Sequence, residues 1–403
     1  MVYYHWNIKK VEKYMYFDCA STTPIDDDII PIVSTALKNN NYNPSSIYYD
    51  GRKNFELISN VKENIKSCIN AENKNQIFFT SGGTEGNNWI IRGYIDYLYK
   101  TKECYKIHKD YKPHIITDTI EHHSVLNTCK FLEELGLIEV TYLKPNIQTG
   151  TISYEEVCNH IQYNTELVSI MFANNVLGTY NDIKLIGKIC KEKNIKFHTD
   201  AVQAIGKKEI NVKYLNVDFL TCSGHKIHAP KGIGFVYIKE PEKICPLLHG
   251  GLQEFGLRAG TENIPYIQAL DYCIKKYTNK EYLLIKNLVI NEIQRYLIKQ
   301  IRKGFTNKLI FQGNNGTINI AFKDINSDTL VWELGLKNVF VSVGSACDNG
   351  SLEDNYVLKE MYYPPEFIKG NIRITFDENN SLEECEKMID ILQEVVKKQR
   401  GYL

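Results

Sequence analysis

The chain has 403 residues, which is long enough for two or three domains with sizeable cores. Lys plus Arg equals Asp plus Glu at 48 each, so bulk charge gives no basic surface for nucleic acid or anionic membranes. The eleven cysteines are scattered and form no CxxC pair, which disfavours a disulfide framework and a zinc or iron-sulfur cage. We therefore expect free thiols, no bound metal and a reducing compartment.

The first residues contain no apolar core of signal-peptide length, and no window approaches the ~20 consecutive apolar residues of a membrane helix. These features predict a soluble, cytoplasmic protein with no membrane partner.

The next part of the chain alternates short apolar runs with helical patterns, which predicts an α/β fold with a mostly parallel sheet and right-handed crossovers. Strands are expected at 76–79, 114–117, 167–172 and 195–199, and helices from about Thr84, at 124–136 and at 183–194.

Beyond about residue 280 the pattern changes to a long helix at 282–303, strands at 308–311 and 317–322, and a closing helix at 381–400. This change predicts a large domain over 26–280. A smaller α+β domain is predicted from 1–25 and 281–403.

Polar clusters follow four of the predicted strands, where ligands of open α/β sheets bind. Ser81-Gly82-Gly83-Thr84 leads into a helix and would present backbone N–H groups to a phosphate, although a simple βα turn capped by Thr84 explains the same residues. The GxGxxG and Walker spacings are absent.

The other three clusters each have an ordinary structural explanation as well. Asp200 could be a helix cap or the partner of a protonated ring nitrogen. His122 and His123 could be a hydrogen-bonded structural pair, and Asn174 and Asn175 could be turn residues.

These clusters, taken with a separate lysine, match what pyridoxal phosphate requires: a lysine for the Schiff base, a carboxylate for the pyridine nitrogen, and donors for the phosphate. Lys226 in "SGHK" is the candidate lysine, with Ser223 and His225 beside the phosphate. Lys231 is the alternative, but the apolar run after it resembles a strand that leads away from the site.

The ordered motifs resemble those of cysteine desulfurases of the NifS/IscS type. These are "YFDCASTTPID", "FTSGGTEGNN", "EHHSVL", "HTDAVQAIGK", "SGHKIHAPKGIG", "GLRAGTEN", "VGSACDNG" and "IRITF", and the resemblance covers about residues 16 to 395. It implies the type I fold of pyridoxal-phosphate enzymes, with a seven-stranded sheet, and a homodimer that converts L-cysteine into L-alanine.

The same resemblance implies a role for individual residues. Lys226 would carry the cofactor, Asp200 would bind its ring nitrogen, and His122 would stack on the ring. The remaining cofactor contacts implied are Asn175 and Gln203 at the ring oxygen and Gly83, Thr84, Ser223, His225 and the partner subunit's Thr261 at the phosphate. Arg373, with Asn175, would bind the substrate carboxylate, a task that suits a planar bidentate donor.

Cys347 is the predicted nucleophile, because its neighbours are small or polar and typical of an exposed loop. It would receive the substrate sulfur as a persulfide, while His122 would assist proton transfer. Cys222, close to the lysine motif, is the other thiol to consider. The resemblance further implies a sulfur-acceptor protein, in iron-sulfur cluster assembly or tRNA thiolation.

Three other functions share parts of this pattern. A selenocysteine lyase uses the same cofactor, and an aminotransferase uses it without an exposed loop cysteine. An inactive relative could serve as a binding partner, although every residue needed for the chemistry is present.

Overall fold

The computed structural model describes residues 14–107, 111–314, 316–344 and 355–401. Its strands are β1 (Met15–Tyr16), β2 (Ile77–Thr80), β3 (His114–Asp118), β4 (Glu139–Leu143), β5 (Thr165–Ser169), β6 (Lys196–Asp200), β7 (Phe219–Ser223), β8 (Gly234–Ile238), β9 (Lys308–Gln312), β10 (Thr317–Phe322), β11 (Val339–Phe340) and β12 (Asn371–Thr375). The helices of the first 280 residues are α1 (Ile29–Asn39), α2 (Tyr49–Cys68), α3 (Gly83–Thr101), α4 (Glu103–Ile107), α5 (His123–Glu134), α6 (Tyr154–Asn159), α7 (Ile183–Glu192) and α8 (Ile264–Tyr277). They are followed by α9 (Lys280–Gly304), α10 (Ser327–Leu336), α11 (Tyr356–Glu360), α12 (Pro365–Ile368) and α13 (Leu382–Gln399).

A seven-stranded sheet in the order β2-β8-β7-β6-β5-β3-β4 forms the centre of the fold. Strand β8 runs antiparallel to both of its neighbours, while the other pairings are parallel. The α/β class with a mostly parallel sheet is therefore as the sequence predicts. The apolar run at 167–172 is in part a loop, since β5 ends at Ser169.

Side chains alternate between the two faces of this sheet, as the two-residue period of a strand requires. Phe79, Val168 and Phe197 pack on one face, which α1, α2, α7 and α8 cover. Phe78 and Phe219 pack on the other face, which α3 and α5 cover. Burial of both faces explains why strands such as β2 and β8 are mostly apolar.

A separate apolar core lies in the last third of the chain. It joins α9, α10 and α13 to the antiparallel sheet β12-β10-β9 and also includes Phe17. A short parallel pair joins β1, from the early part of the chain, to β11 in this last third. These cores are consistent with the predicted domains 26–280 and 1–25 with 281–403, whose boundaries stay a prediction.

Candidate active site

A cavity lies where β6 and β7 end and α3 and α5 begin. It collects residues from seven parts of the chain, and its lining is Ala20, Ser21, Gly83, Thr84, Asn87, His122, Ser124, Met171, Ala173, Asn175, Asp200, Val202, Gln203, Ser223, His225, Lys226 and Arg373. Every predicted site residue except Thr261 and Cys347 is in this set. The position agrees with the rule that open α/β sheets bind ligands at the carboxyl ends of their strands.

Lys226 ends a short 3-10 turn that follows β7 directly. Its Nζ donates to the backbone oxygens of Ala20, at 2.5 Å, and Ser21, at 2.6 Å. Lys231 is exposed and does not line the cavity. Of the two candidate lysines, only Lys226 is therefore positioned to react with a ligand in the cavity.

Asp200 is the last residue of β6 and is 6% exposed. Its Oδ1 accepts from the backbone N–H of Val202 at 2.9 Å, and its Oδ2 accepts from Asn87 Nδ2 at 2.7 Å. These two bonds fix the plane of the carboxylate at the floor of the cavity.

The N-terminus of α3 forms the predicted anion site. Gly82 has a φ of 152°, and a Cβ on Gly83 would lie 2.8 Å from Val202 Cγ2, so the turn requires glycine. Free N–H groups of this helix start are natural anion donors, and the hydroxyl groups of Thr84 and Ser223 line the same cavity. The arrangement suits a phosphate group.

His225 lies beside this anion site, with Nδ1 3.1 Å from Thr22 Oγ1. Burial, and then the positive charges of Lys226 and Lys231, lower the pKa of His225 to about 4. The imidazole is therefore neutral at physiological pH, and it contributes hydrogen bonding to the anion site.

Gln203 and Asn175 both line the cavity. Gln203 Nε2 donates to the oxygen of Ala20 at 2.9 Å, and Gln203 Oε1 accepts from Lys207 Nζ at 3.1 Å. Among the described residues, buried Asn175 Oδ1 has no hydrogen-bond partner. An unpaired buried acceptor is costly, so a ligand donor at this point would be favourable.

Arg373, in β12, reaches the cavity with its guanidinium and is 1% exposed. Nη1 donates to the oxygen of Asn175 at 2.8 Å, while Nη2 donates to Asp18 Oδ1 at 2.9 Å and Ser21 Oγ at 2.6 Å. Its Nε has no partner within the part of the chain that the structure describes. Three contacts hold the guanidinium, and a donor remains for a carboxylate.

His122 is the N-cap residue of α5, and its Nδ1 accepts from the backbone N–H of Ser124 at 3.1 Å. Ser124 Oγ is also 2.8 Å from Nδ1. This histidine therefore has a structural role as a helix cap, which differs from the pairing with His123 that the sequence suggested. The same ring also lines the cavity.

Thr261 is exposed and does not line the cavity of its own chain. Cys347 lies outside the described residues. Cys222 is completely buried, and burial raises the pKa of its thiol well above the ordinary value, so this cysteine is packing rather than a nucleophile.

Sequence reasoning missed Asn87, Ser124 and the backbone oxygens of Ala20 and Ser21. Asn87 lies three residues after Thr84 in α3, and that helical spacing is a signal that could have placed it on the same face. The backbone oxygens have no sequence signal.

Residues 15–388 match the family described as Aminotransferase class-V. The chain is 39% identical over 401 residues to a cysteine desulfurase IscS of Methanosarcina thermophila, covering 98% of this chain and 95% of that protein. It is also 39% identical over 396 residues to a cysteine desulfurase IscS of Clostridium botulinum, with 97% and 96% coverage.

Solved structures also resemble this chain over most of its length. A NifS-like protein has a TM-score of 0.86 at 29% identity, covering 96% of this chain and all of that one. A structure described as SspA in complex with cysteine has a TM-score of 0.76 at 32% identity, covering 91% of this chain and all of that one.

The fold and the cavity define a pyridoxal-phosphate-dependent enzyme with the type I fold. The chain belongs to the cysteine desulfurases of the class-V aminotransferase family. The family, fold class, enzyme class and cofactor predicted from the sequence are thereby confirmed.

The residues present fit pyridoxal phosphate. A lysine, a carboxylate, a helix start and two hydroxyl groups surround one cavity. The Asn175 side chain lines the same cavity, and its amide oxygen has no hydrogen-bond partner among the described residues. Across the described part of the chain, no helix combines the length and apolar character needed to cross a membrane.

Proposed function

We propose that the protein converts L-cysteine into L-alanine and leaves the substrate sulfur as a persulfide on Cys347. The observation that carries this proposal is the placement of Lys226, Asp200 and Arg373 around one cavity in a chain similar to cysteine desulfurases. The net reaction consumes L-cysteine and the enzyme thiol, and yields L-alanine and the enzyme persulfide, so no other reactant is needed.

Individual residues are proposed to hold the cofactor. Lys226 would bond to it covalently, and Asp200 would pair with its ring nitrogen. The other contacts proposed are His122 on the ring face, Asn175 and Gln203 at the ring oxygen, and Gly83, Thr84, Ser223 and His225 at the phosphate. When bound, pyridoxal phosphate supplies an electron sink for the carbon skeleton of the substrate.

Arg373 and Asn175 are proposed to bind the substrate carboxylate. The three contacts that fix the guanidinium support this role, because a held fork loses little entropy on binding. Lys226 Nζ would then remove the proton from the α-carbon, since an amine released at that position is close to the substrate. His122 would assist proton transfer nearby.

The Cys347 thiolate is proposed to attack the substrate sulfur. An S–S bond forms, the C–S bond breaks, and its electron pair remains on the carbon skeleton, which takes up a proton to give the methyl group of alanine. The persulfide then holds the sulfur for transfer to an acceptor protein in iron-sulfur cluster assembly or tRNA thiolation.

A homodimer would complete the phosphate site with Thr261 of the partner subunit. Leu252 and Phe255, in the same loop as Thr261, are 88% and 63% exposed, which supports a second copy of the chain as their cover. A cytoplasmic location is supported by the ten described cysteines, all of which are unpaired thiols.

The test is a parallel assay of alanine and sulfide from L-cysteine in the holoenzyme and two variants. Cys347→Ser should abolish alanine formation, whereas Cys104→Ser, at an exposed cysteine, should leave it intact. Loss of cysteine cleavage with retained selenocysteine cleavage in Cys347→Ser would show dual use. Keto-acid exchange without sulfide in the wild type would instead indicate an aminotransferase, and no turnover of any substrate would indicate a binding partner.

A further inference from the structure

Asn87 and Ser124 connect Asp200 with His122 by an unbroken series of hydrogen bonds. Asn87 Nδ2 lies 2.7 Å from Asp200 Oδ2 and 2.8 Å from Ser124 Oγ. Ser124 Oγ lies 2.8 Å from His122 Nδ1. Asn87 is 1% exposed and Ser124 is 7% exposed, so solvent has little access to these hydrogen bonds.

The chemistry of the four groups fixes the direction of each bond. Asp200 Oδ2 accepts from the Asn87 amide, which faces it with its NH2 group and gives its second hydrogen to Ser124 Oγ. His122 Nδ1 already accepts from the Ser124 backbone N–H at 3.1 Å. The Ser124 hydroxyl therefore donates to the same nitrogen.

We propose that Ser124 and Asn87 are positioning residues that hold the neutral His122 ring as the tautomer with its proton on Nε2. This proposal rests on the proposed function, in which His122 acts at the cofactor ring. With Nδ1 accepting on the helix side, any bond that the neutral ring makes through Nε2 is a donated one. His122 then assists as a hydrogen-bond donor, and proton removal from the α-carbon belongs to Lys226.

The backbone N–H of Ser124 is present whatever the side chain, so the hydroxyl is the part that a substitution can test. Ser124→Ala removes the donor closer to Nδ1 and leaves one Asn87 hydrogen without its acceptor. Ser124→Thr keeps a hydroxyl group, and Ser124→Cys replaces it with a weak donor of similar shape. The fraction of His122 with its proton on Nε2 should decrease in the order Ser124→Thr, Ser124→Cys, Ser124→Ala.

A matched control exists within the central sheet. Ser169 Oγ lies 2.8 Å from His198 Nδ1, and this serine-histidine pair is buried and does not line the cavity. Ser169→Ala therefore makes the same chemical change at a histidine outside the active site.

The experiment is NMR of the ring nitrogens of 15N-histidine-labelled holoenzyme without substrate, with the His122 signals assigned by their loss in His122→Gln. Wild type and Ser124→Thr should show the Nε2–H tautomer, and Ser124→Ala should show a mixture with the Nδ1–H form. Ser169→Ala should leave His122 unchanged. A wild-type Nδ1–H tautomer, or equal tautomer ratios in wild type and Ser124→Ala, would overturn the proposal.

Kinetics give an independent result. Ser124→Ala should lower kcat for alanine formation about tenfold, less than the roughly 100-fold or more that a full proton-transfer group contributes, because the ring itself remains. KM should be nearly unchanged, and Ser124→Thr should recover kcat. In the double variant Ser124→Ala with Asn87→Ala, the free-energy loss calculated from kcat should be smaller than the sum of the two single losses. The reason is that both residues belong to the same series of hydrogen bonds. Additive losses would contradict the role of Asn87.

The two proposals fail in different ways. If the wild type makes no alanine from L-cysteine but the tautomer depends on Ser124, the proposed function fails and the hydrogen-bond arrangement stands. If the wild type makes alanine and the tautomer ignores Ser124, only the positioning role fails.

Discussion

Under the proposed role of Arg373, the substitution Arg373→Lys should separate substrate binding from the chemical step. The change keeps a positive charge near Asp18 but removes the planar fork that also reaches Asn175 and Ser21. A lysine has one nitrogen at the end of a flexible chain, so it cannot satisfy these acceptors and a substrate carboxylate together.

The magnitude follows from the bonds lost. One charge-assisted hydrogen bond to the carboxylate is worth about 1.5–3 kcal/mol, which corresponds to about a 10- to 100-fold rise in KM. The carboxylate is bound before and during the reaction, so kcat should change little, as expected for uniform binding.

The assay is steady-state alanine formation over a range of L-cysteine concentrations, with cofactor content checked by absorbance. Arg400→Lys is the matched control, because Arg400 donates to three backbone oxygens in the last part of the chain. A KM for Arg373→Lys within about twofold of the wild type, where the lost bond requires tenfold or more, would refute the assignment of Arg373 to the carboxylate.

Three further predictions concern other buried ionisable side chains. Asp200→Asn should retain cofactor but lower alanine formation by at least about 100-fold, the usual loss for a key electrostatic contact; near-normal turnover would contradict the proposed pairing of Asp200 with the ring nitrogen. Lys62→Met breaks the buried pair with Glu254, 2.5 Å apart, and should lower the free energy of unfolding in urea by about 3 kcal/mol, whereas exposed Lys53→Met should have almost no effect. Burial raises the pKa of the Asp118 carboxyl, so the folded state binds a proton more tightly than the unfolded state and stability falls as pH rises from about 4. Asp118→Asn should flatten that fall in pH-dependent melting; an unchanged slope would argue against a protonated Asp118.

The sequence predicted the site residues that lie near the end of a strand or at the start of a helix. Asp200 ends strand β6, Lys226 ends the short turn after β7, and Gly83 and Thr84 begin a helix, so strand ends and helix starts located them. Their convergence followed from the rule for parallel sheets.

The supporting contacts could not be predicted because they join distant parts of the chain. Arg373 pairs with Asp18, 355 positions away, and Lys226 donates to the backbone of residues 20 and 21. Strand β1 has only two residues, which is too short for any periodicity to appear.

Close packing explains why residue 86 is a glycine, which the sequence alone did not explain. A Cβ on Gly86 would lie 2.7 Å from Thr221 Cγ2 and 2.8 Å from Val236 Cγ1, so α3 can approach β7 and β8 only with glycine there. This requirement is visible only in the folded chain.

The most direct measurement is a peptide mass map of the holoenzyme after brief treatment with L-cysteine and alkylation. We predict the added mass of one sulfur atom on the peptide that contains Cys347, and its absence in Lys226→Ala. Sulfur on a different cysteine, or on the same peptide in Lys226→Ala, would contradict the account.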